Sequence, residues 1–336
     1  MPTVFDGSKM SKKLSKKTER LSGYERAKDP PGIEITDRDR EIFLTIYRYD
    51  GVLSADQVHR WFFGAKRRAQ YRISALFHNR YLQRSTPELT REHRIPEPIV
   101  WLDRKGAESV AEQFGIEEIK DLSWRRTPRW SRISHDIGLN EARRIIENAA
   151  NTIPSCSIEV WHGQDDLQRM FPDKVRYLDR DNQVKEKGVW SDAYLRLRVR
   201  QLSSREVPIP FLIEFDNGTF DQPRLAEEKL SPIMHLILSK TYRRQLGEGG
   251  RLLVIAKASE VRFQNMRKNF TRFGGSPFSL FVRASELTVE QAITEPVWLV
   301  PHCDQRVSLV EYASPDFQKW LARTTEDLPR MSFLKQ

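Results

Sequence analysis

Apolar residues recur at helical spacing through the first third of the chain: Ile42, Phe43, Ile46 and Tyr47, then Val58, Trp61, Phe62 and Phe63, then Ile73, Leu76, Phe77 and Tyr81. This spacing predicts three short amphipathic helices. Thr36 is a good N-cap for the first, with Asp37 and Asp39 favourable in its first turn. Asp50-Gly51 ends that helix, Ser54 caps the second, and Gly64 separates it from a third beginning near Lys66. The apolar runs Tyr81–Arg84 and Pro98–Leu102 are expected to pair as a hairpin, with the polar stretch Pro87 to Pro96 as a wing between them. Helix, helix, helix and hairpin is the winged helix-turn-helix order. Gly106 to Phe114 adds a further amphipathic helix.

The second half changes period. A helix is expected from Ser134 to Ala150, then a strand at Cys156–Trp161 and a polar turn or hairpin loop around Asp179-Arg-Asp-Asn182. Ala193–Val199 alternates strictly, as a half-buried strand does, and Pro210–Asp216 is the continuous apolar run of a central strand. One long helix from about Arg224 to Gln245 and a strand at Arg251–Ala256 follow, the latter parallel to its predecessor because a helix crosses between them. A helix from Val261 to Phe273 and small strands near Phe278–Val282 and Val297–Val300 complete the pattern. The chain thus reads as α/β, α+β overall. Residues 1–33 form a basic arm without a core, 34–116 the winged helix-turn-helix, 117–131 a linker, 132–310 an αβββαβ domain, and 311–336 a C-terminal tail.

Charge adds a partner to this picture. Against 46 Asp and Glu stand 56 Lys and Arg, a formal excess of +10. Such an excess favours a polyanion, because each Lys or Arg that neutralises a phosphate releases condensed counterions. The two cysteines, Cys156 and Cys303, are too few for a disulfide framework or a cysteine zinc site and suit a reducing cytoplasm. No apolar run approaches the roughly 20 residues of a membrane span.

Two groups of residues carry candidate chemistry. Lys66, Arg67, Arg68, Gln70 and Arg72 crowd the start of the third helix, the part that enters the major groove in helix-turn-helix modules. There Arg can bond guanine bidentately and Gln can do the same with adenine. Arg91, His93 and Arg94 fall in the wing, placed for phosphate or minor-groove contact with double-stranded DNA. In the second half, Asp192 precedes one strand, Glu214 and Asp216 end the next, and Lys229 follows on a helix. Hard divalent cations take oxygen ligands converging from different elements, so Asp192 and Glu214 are candidate Mg²⁺ ligands, with Glu141 as a possible addition. His135 is expected to pack, to cap its helix or to contact Asp192.

The runs Ile35–Phe43, Leu53–Val58, Trp61–Phe63 and Arg72–Leu76 resemble the replication-relaxation proteins. So do His135-Asp136 with Asn140-Glu141, Ser191-Asp-Ala193, Glu214-x-Asp216-x-Gly218-Thr219 and Lys229-Leu230. The resemblance spans roughly residues 34 to 250. It implies a protein of plasmids or other mobile elements, acting in replication or DNA relaxation beside other replication or mobilisation proteins. Asn217 stands where the family usually has a basic residue, and Ile233-Met234 where a tyrosine is expected. The αβββαβ order also resembles the PD-(D/E)XK nuclease-like fold, which implies catalytic roles for Asp192, Glu214, Asp216 and Lys229. In that fold a lysine lies two residues after the glutamate; here Asp216 holds that place, and Lys229 is the lysine able to reach back. Three readings follow: a mobile-element DNA-binding protein with a non-cutting nuclease-like domain, a Mg²⁺-dependent endonuclease or nickase targeted by the winged helix, and a winged-helix transcription regulator.

Overall fold

A capping box sets the start of the first helix, α1 (Asp37–Arg48): the Thr36 hydroxyl accepts from the Asp39 N–H, and the Asp39 carboxylate accepts from the Thr36 N–H at 2.8 Å. The computed structural model describes residues 24–178, 183–200, 206–247, 249–273, 275, 278–312 and 314–324. After β1 (Leu53–Ser54), a second capping box between Ser54 and Gln57 starts α2 (Ala55–Phe62), and α3 (Lys66–His78) follows. β2 (Leu82–Arg84) leads to α4 (Pro87–Glu92), β3 (Ile99–Leu102) and α5 (Arg104–Gln113), with the strands ordered β1-β3-β2 in an antiparallel sheet. Ile42, Phe43, Ile46, Val58, Ile73, Leu76, Val100 and Val110 form one buried core here. The expected wing is thus partly helical: Thr86 caps α4 and Pro87 sits in its first turn, where a missing N–H costs nothing.

Two flanks differ from the sequence expectation. Of the expected arm, residues 24–33 pack on the first domain: the Arg26 guanidinium donates to Phe77 O at 2.5 Å, Leu82 O at 3.1 Å and Asp103, and lies over the Phe77 ring. One arginine entering a nest of acceptors leaves no periodic trace in a sequence. Lys9, Lys12, Lys13, Lys16, Lys17 and Arg20 lie outside the described residues. The expected linker is likewise built in, with Leu122 buried and Trp130 packed edge-on against Trp101 and stacked with His93.

The second domain begins with α6 (Ile133–Thr152) and runs through β4 (Cys156–Gly163), α7 (Gln164–Met170), the separate hairpin β5 (Lys174–Leu178) and β6 (Val184–Gly188), then β7 (Ala193–Arg200) and β8 (Glu206–Asp216). Asp179 to Asn182, the expected turn, lies outside the described residues. The expected long helix is broken into α8 (Gln222–Leu225), a π-helical turn (Ala226–Leu230), α9 (Ser231–Leu238) and α10 (Lys240–Leu246). Ser239 is the break: its backbone is extended and its hydroxyl accepts from Tyr242 N–H, starting a new helix. Then come β9 (Arg251–Ala256), α11 (Glu260–Arg272), β10 (Ser279–Arg283), β11 (Trp298–Leu299), β12 (Arg306–Val307), α12 (Leu309–Tyr312) and α13 (Pro315–Thr324).

The seven strands form one mixed sheet, ordered β12-β11-β10-β9-β8-β7-β4, in which β8, β9 and β10 are parallel. Leu139, Ala142 and Ile146 of α6 cover one face over Phe211, Ile213 and Phe215. Leu230, Ile233, Phe263 and Met266 cover the other over Leu212 and Val254. The 311–336 segment is not a simple tail, because Tyr312 and Phe317 are buried in the α6-side core; residues 325–336 are not described. Among the described residues no helix is long and apolar enough to cross a membrane.

Candidate functional site

α6 carries both the junction between the domains and one wall of the site. On its first turns, Asn140 is buried and its amide donates to Tyr49 O at 2.9 Å and Val52 O at 2.8 Å in the first domain. Glu141 receives two bonds of 2.8 Å from Arg60, so it belongs to this junction and not to a metal shell. Gly138 permits the approach to the sheet, since a Cβ there would lie 2.4 Å from the Phe215 ring.

At the N-terminal end of α6, Arg132 and His135 reach the C-terminal edge of the parallel strands. Asp192 immediately precedes β7, where Ala193 pairs with Ile213, which sets its carboxylate beside the end of β8. Its Oδ2 accepts from Phe215 N–H at 2.9 Å and bonds His135 Nε2 at 2.9 Å; its Oδ1 accepts from Arg132 at 2.9 Å. The Lys229 ammonium lies 3.3 Å from Oδ2. Burial opposes the charge on Asp192, but Lys229, His135 and Arg132 outweigh it and hold the carboxyl well below its usual range.

Glu214 is the contrasting carboxylate. Its Oε1 shares the Ser191 hydroxyl, at 3.2 Å, with Ile213 O. Its Oε2 is buried and forms an ion pair with the Lys229 ammonium. Burial and the neighbouring Asp192 charge push Glu214 up to about 7 despite Lys229. Lys229 in turn is raised, since Glu214 and Asp192 outweigh its burial. His135 is pushed up to about 9: burial disfavours its charge, but Asp192 and bonds to Asp136 and Asp192 prevail. Lys229 is delivered by the π-helical turn, an irregularity found often at functional sites. The group opens into a cavity of about 360 Å³ lined by Arg132, His135, Glu214, Asp216, Phe220 and Lys229.

Asp216 lines that cavity but is otherwise engaged, accepting from Arg262 at 3.2 Å and from Gly218 N–H at 3.2 Å, the latter closing the Asn217-Gly218 turn. Arg129 and Arg132 were not evident from the sequence. Arg129 makes two bonds of 3.1 Å to buried Asp136 and one of 3.3 Å to Asp50, joining the domains behind His135. The spacing Arg129, Arg132 and His135 around a helix start was the available signal.

In the first domain, Lys66, Arg67, Arg68 and Gln70 are exposed along α3, with the exposed Tyr71 among them. Arg72 is not free for DNA: it donates to Asp39 at 2.8 Å and to Glu34 O at 2.6 Å, because the buried Asp39 carboxylate at the α1 cap has no other cation beside it among the described residues. Arg91 and Arg94 are exposed, whereas His93 is stacked on Trp130.

A comparison with curated proteins gives no match, and neither does one with solved structures. The model of one family, described as replication-relaxation, matches residues 44–247, which take in α3, the domain junction and all of Asp192, Glu214 and Lys229. That is more than half of the 336 residues, and the chain belongs to the replication-relaxation family.

Proposed function

We propose that this replication-relaxation protein binds duplex DNA through α3 and breaks a phosphodiester of it at the Asp192–Glu214–Lys229 group. The observation that carries the reading is the Lys229 ammonium set against both carboxylates beside a cavity of about 360 Å³, where position 216 holds an aspartate and not a lysine. An ammonium there can stabilise an attacking oxyanion, which a carboxylate at 216 cannot. The strand order supports the same fold assignment, since β4, β7, β8 and β9 follow α6 with the π turn and its helices crossing from β8 to β9.

Divalent-cation binding fits the donor set. Glu214 Oε2 is a buried oxygen whose partner is the Lys229 ammonium, and burial beside a second carboxylate, Asp192, pushes Glu214 up to about 7. Among the described residues no group of three or more Asp, Glu, His or Cys is placed to hold a metal, but Mg²⁺ is usually held by one or two carboxylates with waters and substrate phosphates. Asp192 and Glu214 would hold it, and when bound it supplies Lewis-acid stabilisation of phosphoryl oxygens and a more acidic water. His135 keeps a proton on Nε2 and orients Asp192, while Arg132 presents a cation to a phosphate in the cavity.

A second reading keeps the DNA binding and makes the group structural. Saturation of Asp192 by the Phe215 amide, Arg132, His135 and Lys229 favours it. Incubation with supercoiled plasmid separates the two. The first reading expects open-circular product with Mg²⁺ or Mn²⁺ and none with EDTA; plasmid that is retarded on a gel but intact under every condition refutes cutting.

A further inference from the structure

The second domain carries a basic surface that the α3 reading leaves out. α10 has no acidic residue, and Lys240, Arg243 and Arg244 share its exposed side while Tyr242 and Leu246 are buried. Next to it stands the β5–β6 ribbon, which pairs only with itself among the described residues. Lys174 and Arg176 project from one side of β5, two residues apart, and both are exposed. A groove of about 200 Å³, lined by Asp173, Lys174, Arg176, Ser239 and Thr241 among others, joins ribbon to helix, with two cations against one carboxylate. Arg176 is paired with Glu186 at 2.6 Å, and Lys174 also lies close enough to favour the Glu186 charge; among the described residues no ion pair engages Lys240, Arg243 or Arg244.

The ribbon is firmly seated. Val175 and Tyr177 turn inward from the opposite side of β5, Tyr177 buried with its ring 6.5 Å from that of His235 on α9. Gly188 lets the ribbon close, because a Cβ there would meet the Trp190 ring at 2.6 Å. Lys187 donates to the carbonyl of Glu228, the residue before Lys229. Anything held on the ribbon is therefore held beside the turn that carries the site lysine.

We propose that the β5–β6 ribbon and α10 form a second, sequence-independent contact surface for the DNA backbone, seating the strand that runs past Lys229. The proposal rests on the DNA-binding reading above. Clustered exposed cations, in excess over the single carboxylate Glu186 that pairs with Arg176, complement phosphates spaced along a strand, and a two-stranded ribbon has the width a DNA groove admits. Among the described residues of the ribbon, Val184 is the one exposed large apolar side chain, too little for insertion into a lipid surface.

The test uses the full chain and a fluorescein-labelled duplex, with anisotropy followed over a range of salt concentrations. Replacing Lys174, Arg176, Lys240, Arg243 and Arg244 by Ala should leave the melting temperature unchanged. It should lower the slope of log affinity against log salt by about 0.9 for each phosphate contact removed. The same experiment with Lys174→Arg, Arg176→Lys, Lys240→Arg, Arg243→Lys and Arg244→Lys together should keep the wild-type slope, because charge and not shape is required. A wild type that binds with an unchanged slope in the alanine variant overturns the second surface and leaves the α3 reading intact. A wild type that binds no duplex overturns both. Loss of adsorption to phosphatidylserine vesicles with the DNA slope unchanged would make the patch a lipid contact and overturn the proposal.

Discussion

Asn140→Ala is expected to damage the molecule more than any exposed substitution of similar size. The Asn140 side chain is buried, and its amide is the donor for Val52 O at 2.8 Å and Tyr49 O at 2.9 Å. Tyr49 O keeps a turn bond from Val52 N–H at 3.2 Å, so Val52 O bears most of the loss. An unsatisfied buried carbonyl costs about 1–3 kcal/mol, and the weakened second bond and small void bring the expected loss to about 2–4 kcal/mol. That is a large part of the roughly 5–15 kcal/mol by which folded domains are stable. Urea unfolding followed by tryptophan fluorescence measures it. Because the lost contacts join the two domains, the variant should also unfold less cooperatively, with a reduced apparent m-value. Asn140→Asp keeps the size but replaces the donor with a buried charge facing two carbonyls, and at neutral pH it should be at least as destabilising. A loss below about 0.5 kcal/mol for Ala, within the range of ordinary surface changes, would refute the assignment of Asn140 as the interdomain lock.

Two further outcomes follow from the same geometry. His135 is pushed up to about 9 in the folded chain, so its contribution is fully present below its unfolded value of about 6.5 and is lost as pH rises through 9. The stability gap between wild type and His135→Asn should therefore narrow by about 3 kcal/mol between about pH 6 and about pH 10, read from urea midpoints; a pH-independent gap contradicts the charged His135–Asp192 pair. Arg72→Ala should lower stability by about 3 kcal/mol, since the buried Asp39 would keep its bonds from Thr36 but lose its ion-pair partner, while Arg67→Ala with Arg68→Ala should leave stability unchanged and weaken duplex binding. A gel shift and a thermal melt distinguish these, and the reverse pattern would return Arg72 to the DNA face.

Local chemistry explains which features the sequence made legible. Thr36, Ser54 and the 3.6-residue spacing of Ile42, Phe43 and Ile46 act within a few residues, and they produced the helices expected of them. The alternation of Ala193–Val199 and the apolar run ending at Glu214 likewise became adjacent strands, which brought Asp192 and Glu214 together. Contacts across the chain were not legible. Arg72 lies 33 residues from the Asp39 that claims it, and Glu141 lies 81 from Arg60. Nothing in Ala226–Leu230 marks a π turn, because a single widened turn alters side-chain spacing too little to show as a period. Arg26 and Tyr312 were placed in tails for want of a pattern, yet one bonds Phe77 O and the other is buried in the core.

The proposed reaction turns on Lys229, which would stabilise the oxygen attacking a phosphodiester brought beside Asp192 and Glu214. The most direct measurement is the single-turnover rate of open-circle formation from supercoiled plasmid, with Mn²⁺, for wild type and Lys229→Met. Methionine keeps the length and packing of the side chain without its charge. The account predicts a loss of about 100-fold or more in rate, the scale of removing one oxyanion-stabilising donor, with plasmid affinity unchanged. A Lys229→Met protein that nicks at the wild-type rate would contradict it.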